Sequence, residues 1–562
     1  MYSYTALVDG LACRVRASYS RQITAPERPE HGAFIAARDG VANTDHTAHG
    51  HALAEAGYAF LLADSPLAGD DALFACLSAA IAFQRRWQRT EGLIDLISVN
   101  WVSPPDTSFT VQLLAPVVAL ARTVAAGGDE RAARIAADLG AYVASAAAGM
   151  IGRGFHTPNH RWVVCSALAQ AQALFPDLPA RPYLEAILAE GIDENDDGEF
   201  TERSTGIYNA VCDRSLRLMA DALGRPEFLD PVRRNLDLMT QLFHDDGAVV
   251  TSISNRQDRG QRVIPLGLAD SLYDLARRDE NGVWATLADR LVALTPEEQH
   301  NAWLLRPFVA NPAYRRDTLP RAPLPDEFRR LFPVAGIWRI KRGPLSATAA
   351  RGNTTAFALR YGQAELTALK IAGTYHSTAF FAADEMVPQG AGISLVHRGA
   401  NRRLPGYELP LGRPVPFGTF YTSRDERERW TLPALDLTLD IAEVAGGFDL
   451  RLRSTGGVDR ITCQIECCFV GPGEWETADQ VIAVGNGQTA ILKEGVGRFS
   501  RGNDAITIGP GAAAHRMWQM RGTEPEPDMF RVLITLQTPL DHPFRVRFGR
   551  PAPLTGGILP PD

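Results

Sequence analysis

Cysteine is scarce in this sequence of 562 residues, and its spacing argues against the common metal and disulfide frameworks. The seven cysteines are an odd number, and no two of them form a Cys-x-x-Cys pair. They stand at positions 13, 76, 165, 212, 463, 467 and 468. We therefore predict reduced, structural thiols in a reducing compartment, with neither a zinc site nor a disulfide framework.

Long apolar runs and an excess of positive charge are also missing. We find no run that approaches the length needed to span a bilayer. The N-terminus lacks a charged region followed by a continuous apolar core, as a signal peptide would have. The formal net charge of −8 argues against a general nucleic-acid binder, which needs a basic surface. We expect a cytoplasmic protein as the sequence stands, or a periplasmic or secreted one if a leader has been trimmed, with no membrane or nucleic-acid partner.

The remaining composition is that of an ordinary globular protein, 45% hydrophobic and 22% charged. At this length two or three domains are expected. Residues 1–52 contain no clear periodicity, and we predict an irregular N-terminal segment. Within it Asp45, His46, His49 and His51 have the composition of a metal site. Because no regular element fixes these side chains, a solvated loop is the favoured interpretation.

Helical periodicity begins at residue 53 and continues to about residue 314. Apolar residues recur at three- and four-residue spacing through about ten segments, several of which are apolar on more than one face. The predicted helices are Ala72–Arg86, Phe109–Ala125, Asp129–Ala147, His160–Leu174, Ile207–Leu223, Arg225–Phe243, Pro265–Arg277, Gly282–Leu294 and Glu298–Phe308. Helices with only one solvent-exposed face are explained if antiparallel helix pairs close into a ring. We therefore predict an (α/α) toroid over residues 53–314.

The hydrophobic pattern of the sequence changes after a linker at residues 315–330, which contains a run rich in proline and arginine. Short apolar or alternating segments follow, separated by glycine turns such as Ala445–Gly447 and Gly485–Gly487. The predicted strands include Gly336–Ile340, Ala356–Arg360, Leu435–Ile441, Phe448–Leu452, Arg460–Phe469 and Phe530–Gln537. This pattern predicts an antiparallel β-sandwich over residues 331–562.

The stretch most informative about function runs from Asp193 to Asp213 (DENDDGEFTERSTGIYNAVCD). A carboxylate-rich loop leads directly into a predicted helix that carries Tyr208 and Asn209 in its first turn. A tyrosine in that position is a candidate for proton transfer, although a tyrosine that merely packs, with its hydroxyl bonded to backbone, is the alternative.

The same loop matches the first half of a calcium-binding loop. Asp193, Asn195, Asp197 and Gly198 fit the pattern, but Ser204 stands where the bidentate glutamate is required. We interpret the loop as a polar turn that positions Glu202 and Arg203, and we predict no bound metal.

A second motif, Gly154–Trp162, marks the start of another helix. Thr157 suits the N-cap position and Pro158 the first helical position. Asn159 and His160 then lie in the first turn, where backbone N–H groups and the helix dipole favour negative charge.

Ser204 or Thr205 is expected to cap the Tyr208 helix in the same way. If alternate helices line the inside of a ring, their N-termini gather on one face. Asn159, His160 and Tyr208 are then expected to converge on one anion-binding cleft.

Three further stretches carry candidate side chains. In Ser252–Arg262, three arginines and an Asn/Gln pair suit capture of a carboxylate or sulfate, and a solvated loop with salt bridges is equally open. In Asn100–Thr107, Trp101 and the following Phe109 suit stacking on sugar rings or packing in a core. In Gly373–Ser377, His376 is either structural or a contribution of the sandwich to the cleft.

In these motifs the chain resembles the helical-toroid polysaccharide lyases that carry a C-terminal β-sandwich, the heparinase II/III-like and alginate-lyase-like group. Within that group it is most similar to lyases of glucuronic-acid polymers, polysaccharide lyase family 38. The resemblance covers nearly the whole chain in architecture. Its motifs are Asn159-His160, Asp197-Gly198-x-x-x-Glu202-Arg203-Ser204-x-Gly206-x-Tyr208-Asn209, and Ser254-x-Arg256-Gln257-Asp258.

The resemblance implies β-elimination from a uronic acid without metal or cofactor. Asn159, with Arg203 or Glu202, is expected to neutralise the substrate carboxylate. Tyr208 is expected to act as base and then acid, its phenolate form favoured by nearby arginine charge and the helix N-terminus. His160 is the competing base or the acceptor of the tyrosyl proton.

The resemblance further implies that His376 completes the site. The expected substrate-binding residues are His156, Trp101, Asn209, Asn255, Arg256 and Arg259. The expected partner is an acidic polysaccharide or oligosaccharide, and a homodimer is left open.

Three other functions remain open on the sequence. A glycoside hydrolase needs two carboxylates, and Asp197, Glu202, Asp245 and Asp246 are available. A uronate C5-epimerase begins with the same proton abstraction. A carbohydrate-binding protein without catalysis is the third.

Overall fold

The protein is described by a computed structural model that covers residues 2–36, 40–316, 319–375, 380–401, 406–520 and 528–551. The chain divides into two compact units. The first comprises residues 1–258 with 262–325, and the second comprises residues 259–261 with 326–562.

Within its described residues the first unit is almost entirely helical. Its α-helices are α1 (Tyr4–Tyr19), α2 (His51–Leu61), α3 (Asp71–Arg86), α4 (Pro104–Ala125), α5 (Glu130–Met150), α6 (Pro158–Leu174), α7 (Arg181–Leu188), α8 (Tyr208–Leu223), α9 (Leu229–Thr240), α10 (Ala269–Asp279), α11 (Gly282–Leu294) and α12 (Arg306–Ala310). A π-helical turn spans His46–Gly50, and 3-10 turns span Pro226–Phe228, Leu266–Leu268, Glu297–Gln299, Ala302–Leu305 and Pro312–Arg315. Two short strands, β1 (Ile94–Leu96) and β2 (Asn100–Ser103), pair antiparallel before α4.

The helices form the predicted (α/α) toroid. Helices α2, α4, α6, α8 and α10 contact one another in that order, while α3, α5, α7, α9 and α11 pack against them from the outside. The 3-10 turn Ala302–Leu305 contacts both α10 and α2 and thereby closes the ring. Every second helix therefore lies in the inner layer, as the amphipathic pattern required.

The prediction of an irregular segment over residues 1–52 was wrong. Helix α1 buries Leu7, Leu11 and Val15, which recur at four-residue spacing and pack toward α2. Helical periodicity was therefore present in the segment. Ser3 occupies the N-cap position of this helix, but its side chain makes no capping hydrogen bond.

The histidine cluster of this segment is not a solvated loop either. Asp45 Oδ1 accepts hydrogen bonds from the backbone N–H groups of Thr47 and Ala48, at 2.9 and 3.3 Å, and so starts the π-helical turn. Asp45 and His49 are buried, and His49 Nε2 lies 3.2 Å from the carbonyl oxygen of Ala80. Tertiary packing, which local sequence does not show, orders this turn.

Most predicted helices lie within a few residues of the observed ones, and the differences have local causes. The predicted helix Arg225–Phe243 is a 3-10 turn at Pro226–Phe228 followed by α9, and the predicted helix Glu298–Phe308 is two 3-10 turns followed by α12. Helix α7 was not predicted because its eight residues bury only Leu184 and Ile187.

Helix α4 corrects the expectation about apolar runs. Among the described residues it is the one helix that is long and apolar enough to cross a membrane by length and composition. Its most apolar window is 61% buried in the protein, and buried core helices meet the same criterion.

The second unit is built from strands packed face to face. In its described part they are β3 (Glu327–Phe332), β4 (Ile337–Arg342), β5 (Leu345–Ala350), β6 (Phe357–Tyr361), β7 (Ala364–Gly373), β8 (Glu385–Gln389), β9 (Gly392–His397), β10 (Gly406–Glu408), β11 (Arg429–Thr431), β12 (Leu435–Val444), β13 (Gly447–Gly456), β14 (Thr462–Phe469), β15 (Gly473–Glu476), β16 (Val481–Val484), β17 (Thr489–Ile491), β18 (Gly497–Arg501), β19 (Asp504–Gly509), β20 (Phe530–Gln537) and β21 (Asp541–Gly549). Short 3-10 turns occupy Gly399–Asn401 and Arg424–Glu426.

These strands form the predicted sandwich. One sheet has the order β16-β15-β18-β19-β21-β13-β12-β9-β8, the other has the order β17-β20-β14-β7-β6-β5-β4-β3, and β10 pairs with β11 separately. Pairing is antiparallel except between β17 and β20. The buried apolar core draws on both large sheets, with Phe357 of one packed edge-to-face on Phe448 of the other at 5.0 Å between ring centroids. In strands such as β12 every second residue, Leu435, Leu437, Leu439 and Ile441, belongs to this core, as expected for a sandwich.

The seven cysteines all lie in the described part of the chain, and each is a free thiol. Burial raises the pKa of Cys165 and of Cys463 to about 12, so both are protonated at neutral pH.

The extreme N-terminus is expected to stabilise the toroid. Tyr2 is fully buried, its ring stacks on Tyr273 of α10 at 4.4 Å, and its hydroxyl donates to the carbonyl oxygen of Leu304 at 2.6 Å. We expect Tyr2→Ala to lower the free energy of unfolding by about 3–5 kcal/mol, because it removes a large buried ring. Tyr2→Phe keeps the ring and is expected to cost only about 1–2 kcal/mol. Urea unfolding measures both, and equal small effects of the two variants would contradict this role.

Candidate active site

A buried carboxylate, Glu202, joins the loop before α8 to the first turn of α6. Its Oε2 accepts hydrogen bonds from Asn159 Nδ2 at 2.5 Å and from the Asn159 backbone N–H at 3.2 Å. Asn159 is fully buried and Glu202 is 6% exposed. The first turn of α6 thus binds a carboxylate, as a helix N-terminus favours.

Arg256 provides the opposite charge on the other side of Glu202. Its Nη1 lies 3.0 Å from Glu202 Oε1, a charge contact whose angle does not make a hydrogen bond. Its guanidinium also lies over the ring of Tyr208, 4.8 Å from the ring centroid. One arginine therefore contacts both the buried carboxylate and the tyrosine.

Tyr208 begins α8 and is half-buried. Its hydroxyl oxygen accepts a hydrogen bond from Nε2 of the exposed Gln257 at 2.6 Å. The N-cap of α8 is Ile207, so the expectation that Ser204 or Thr205 is the N-cap was wrong, although the Tyr208 backbone N–H does donate to Ser204 Oγ at 3.2 Å. Thr205 instead donates through its hydroxyl to the carbonyl oxygen of Val250 at 2.7 Å.

Asp258 fixes the two loops that carry these groups. Its Oδ1 accepts from Ser204 Oγ at 2.9 Å, and its Oδ2 accepts from Ser254 Oγ at 2.8 Å and from the Gly206 backbone N–H at 2.9 Å. Asp258 is fully buried, and its acceptor positions match these three donors. This carboxylate therefore determines how Tyr208 lies relative to Arg256.

His160 lies next to this group in the first turn of α6. Burial, followed by the charge of the neighbouring His156, lowers its pKa to about 4. The imidazole is therefore neutral near pH 7. The exposed His156 stands edge-to-face against it, with 4.6 Å between ring centroids. Asp106, Arg256 and His46 are also close enough to shift its pKa.

Thr157 does not cap α6 as expected. It occupies the N-cap position, but it makes no capping bond to the backbone. Its Oγ1 accepts from Asn159 Nδ2 at 3.2 Å instead. Asn159 Oδ1 is buried and has no hydrogen-bond partner among the residues that the structure describes.

Two of the predicted site residues face other partners. Arg203, in the left-handed region at φ 49°, donates through Nε to Glu199 Oε1 at 2.8 Å. The Asn209 Nδ2 lies 3.4 Å from Met239 Sδ in the contact between α8 and α9. The arginine that lies beside Glu202 and Tyr208 is Arg256, which the sequence suggested only as a substrate-binding residue.

The loop with the calcium-like pattern is held by protein groups. Asn195 Oδ1 accepts from the backbone N–H groups of Asp197 and Glu199, at 3.0 and 3.1 Å, which closes a polar turn. Asp193 Oδ1 accepts from Trp162 Nε1 at 2.7 Å. Among the described residues, no group of three or more His, Cys, Asp and Glu side chains is placed to hold a metal ion.

The remaining predicted residues lie at different places. Trp101 is 67% exposed on β2, and Asn255 is exposed. Arg259 belongs to the second unit, where its guanidinium donates to Thr354 Oγ1. His376 lies outside the described residues.

Gln257 was predicted only as part of a loop suited to anion capture, and no role was predicted for Asp258 or Asp106, although both stood in the motifs. The polar residues beside arginine or serine indicated a functional loop, but they did not show which side chain contacts which. His46 was set aside because its segment was thought irregular.

No family model matches the chain, and no curated protein matches it either. Solved structures do. The chain is similar to the xanthan lyase of Paenibacillus, with 11% identity and a TM-score of 0.58 over 99% of this chain and 59% of that one. It is also similar to the chondroitin AC lyase of Streptomyces coelicolor in complex with chondroitin sulphate, with 14% identity and a TM-score of 0.54 over 98% of this chain and 80% of that one.

These neighbours are polysaccharide lyases, and the chain shares their fold, an (α/α) toroid followed by a β-sandwich. The expected resemblance to the toroid-type lyases is thereby confirmed for the fold. The chain spans about 59% of the xanthan lyase, and the particular similarity to glucuronan lyases stays a prediction.

Removing the Asp258 carboxylate is expected to destabilise the fold around Tyr208. Asp258→Ala leaves three donors without their acceptor, and we expect it to lower the free energy of unfolding by about 2–4 kcal/mol. The control is Glu227→Ala, which removes an exposed ion pair with Arg225 and is expected to leave the urea midpoint nearly unchanged. Urea unfolding compares the variants, and similar costs for both would refute the role of Asp258.

The lowered pKa of His160 predicts a pH-dependent stability. Between pH 6.5 and about 4 the unfolded chain binds a proton that the folded site does not bind. Wild-type stability should therefore fall relative to His160→Gln as the pH decreases through this window, by less than about 3 kcal/mol, and should not change above it. Unfolding of both proteins from pH 8 to 4 measures the difference. A difference that stays constant across the window would show that the folded-state pKa is not lowered.

Proposed function

We propose that this chain is a polysaccharide lyase, which cleaves a uronic-acid-containing polysaccharide or oligosaccharide by β-elimination with Tyr208 as the proton-transfer residue. The observation that carries the proposal is the contact series from Asn159 through Glu202 and Arg256 to Tyr208. In this series one arginine, Arg256, contacts both Glu202, which we propose assists in neutralising the substrate carboxylate, and Tyr208, which we propose transfers the proton.

The protein must assist three steps of the reaction. The C5 proton of the uronate is removed, the electron pair forms the C4=C5 double bond, and the C4–O4 bond breaks as O4 takes a proton. Because a neighbouring carboxylate makes the C5 proton only weakly acidic, that carboxylate must be neutralised by hydrogen bonding or proton sharing.

Asn159 and Glu202 are suited to neutralise the substrate carboxylate. Within the described part of the chain Asn159 Oδ1 is buried without a hydrogen-bond partner, and in this proposal it accepts from a protonated carboxyl group of the substrate. Glu202, already in contact with Asn159, can share a proton with that carboxyl group. In this proposal Arg203 is a positioning residue, because its φ of 49° and its hydrogen bond to Glu199 shape the loop that holds Glu202.

Tyr208 is the base and then the acid in this proposal. The guanidinium of Arg256 lies over its ring, where its positive charge can stabilise negative charge that develops in the transition state. Gln257 donates to the hydroxyl oxygen and so fixes its direction. His160 is neutral near pH 7 and remains available either as the competing base or to accept the tyrosyl proton.

The environment of the carboxylates favours a lyase over a glycoside hydrolase. A glycoside hydrolase needs two carboxylates free to serve opposite sides of the bond. Glu202 is engaged by Asn159 and Arg256, and Asp246 is engaged by Arg262. The fold shared with the xanthan and chondroitin lyases supports an acidic polysaccharide as substrate. Glucuronic acid is the specific uronate we propose, on the sequence resemblance.

Tyr208→Phe is expected to abolish formation of an unsaturated uronide. Wild type should raise the ultraviolet absorbance of at least one polyuronate among glucuronan, alginate, pectate and heparan-type chains. The variant keeps the ring and loses the hydroxyl, so the rate should fall about 10²- to 10⁴-fold. Tyr361→Phe, a half-buried tyrosine of the second unit, is the matched control and should retain the wild-type rate.

The product distinguishes the alternatives. New saturated reducing ends without absorbance would replace the lyase with a hydrolase. Exchange of the C5 proton with unchanged chain length would indicate an epimerase. Binding without any chemical change would leave a carbohydrate-binding protein.

A further inference from the structure

His46 borders the same group of residues from the opposite side. It begins the π-helical turn His46–Gly50, and its side chain keeps 21% of its surface exposed. Its Nδ1 is buried and lies 3.7 Å from Asp106 Oδ1. Irregular π turns are frequent at functional sites, because they set a side chain where a regular helix does not.

Asp106 is held so that one oxygen is directed to this histidine. Its Oδ2 accepts from Ser103 Oγ at 2.6 Å and from Asn100 Nδ2 at 3.0 Å, while Oδ1 lies nearest to His46. Asp106 is 4% exposed. At 3.7 Å the Asp106 carboxylate is beyond hydrogen-bond distance of His46 Nδ1, but its nearby negative charge favours the tautomer with the proton on Nδ1.

Phe109 connects His46 with the proposed catalytic residues. The rings of His46 and Phe109 are stacked, with 4.5 Å between centroids and 22° between planes. Phe109 in turn meets His160 edge-on at 6.1 Å. One phenyl ring therefore separates the two imidazoles and fixes the plane of His46.

We propose that His46 is a substrate-positioning residue, which accepts a hydrogen bond through Nε2 from a ring hydroxyl of the saccharide, with Asp106 fixing its tautomer. This inference rests on the proposed lyase function and adds a residue to its site. Burial lowers the pKa of His46, so the ring is neutral. With the proton on Nδ1, Nε2 carries a lone pair. The ligand group is therefore a hydroxyl donor and not the uronate carboxylate.

Two substitutions of His46 separate this role from a purely structural one. Glutamine can place a polar atom near the position of Nε2, whereas asparagine can place one near Nδ1 and keep only the contact with Asp106. We expect His46→Gln to raise KM about threefold and His46→Asn to raise it tenfold or more, with kcat changed less than KM in both. A structural role through Asp106 predicts the reverse order.

His49→Gln is the matched control in the same turn. His49 is fully buried against Phe34 and Phe83, so this variant should lower Tm without changing KM. Steady-state kinetics on the best polyuronate and thermal unfolding are measured for all variants. Equal KM values for His46→Asn and wild type, or a smaller effect of Asn than of Gln, would overturn the inference while the lyase activity stands.

Failure of the proposed function has a different signature. If wild type forms no unsaturated product, affinity for uronate oligosaccharides is measured by calorimetry with the same variants. The same order of effects on Kd supports His46 as a ligand-binding residue without lyase activity. Unchanged Kd in both variants, or the absence of binding by wild type, refutes it.

Discussion

A buried negative charge at Glu202 is the constraint on which the arrangement of the site depends. A carboxylate with 6% exposure is costly unless opposite charge and hydrogen-bond donors surround it. Asn159 supplies the donors from α6, and Arg256 supplies the charge from the loop at 251–258. Three separate segments must therefore meet before Glu202 is satisfied. Tyr208 is fixed as a consequence, because Arg256 also lies over its ring.

The same principle explains the second buried carboxylate and the neutral histidine. Asp258 is surrounded by neutral donors from Ser204, Ser254 and Gly206, so it orders two loops. Among the described residues His160 has no hydrogen-bond partner at its buried Nδ1, and the imidazole stays neutral near pH 7 instead. The site thus combines an ordered anion and a cation, carried on two loops, with a neutral imidazole in the first turn of α6 and a tyrosine in the first turn of α8.

Much of this could be predicted from the sequence because it depends on local chemistry. Pro158 marked the start of α6, and the polar loop before Tyr208 marked the start of α8. Helix-ring geometry then placed Asn159 and Tyr208 on one face of the toroid, and the observed contacts through Glu202 and Arg256 agree with that placement.

Other features depend on contacts between distant residues, which local pattern does not show. Arg203 and Arg256 both stood in suitable motifs, and only the fold decides that Arg203 pairs with Glu199 while Arg256 reaches Tyr208. His46 was missed because the order of its turn comes from packing on Phe109 and from the carboxylate of Asp45. At 11–14% identity to the solved lyases, the fold persists while individual side chains differ, so the substrate must be argued from the site itself.

The most direct measurement is a crystal structure of the Tyr208→Phe protein with a uronate oligosaccharide bound. We expect a uronate whose carboxyl group contacts Asn159 and Glu202 and whose C5 faces the aromatic ring at position 208. An oligosaccharide bound elsewhere on the chain, or one whose C5 is remote from position 208, would contradict it.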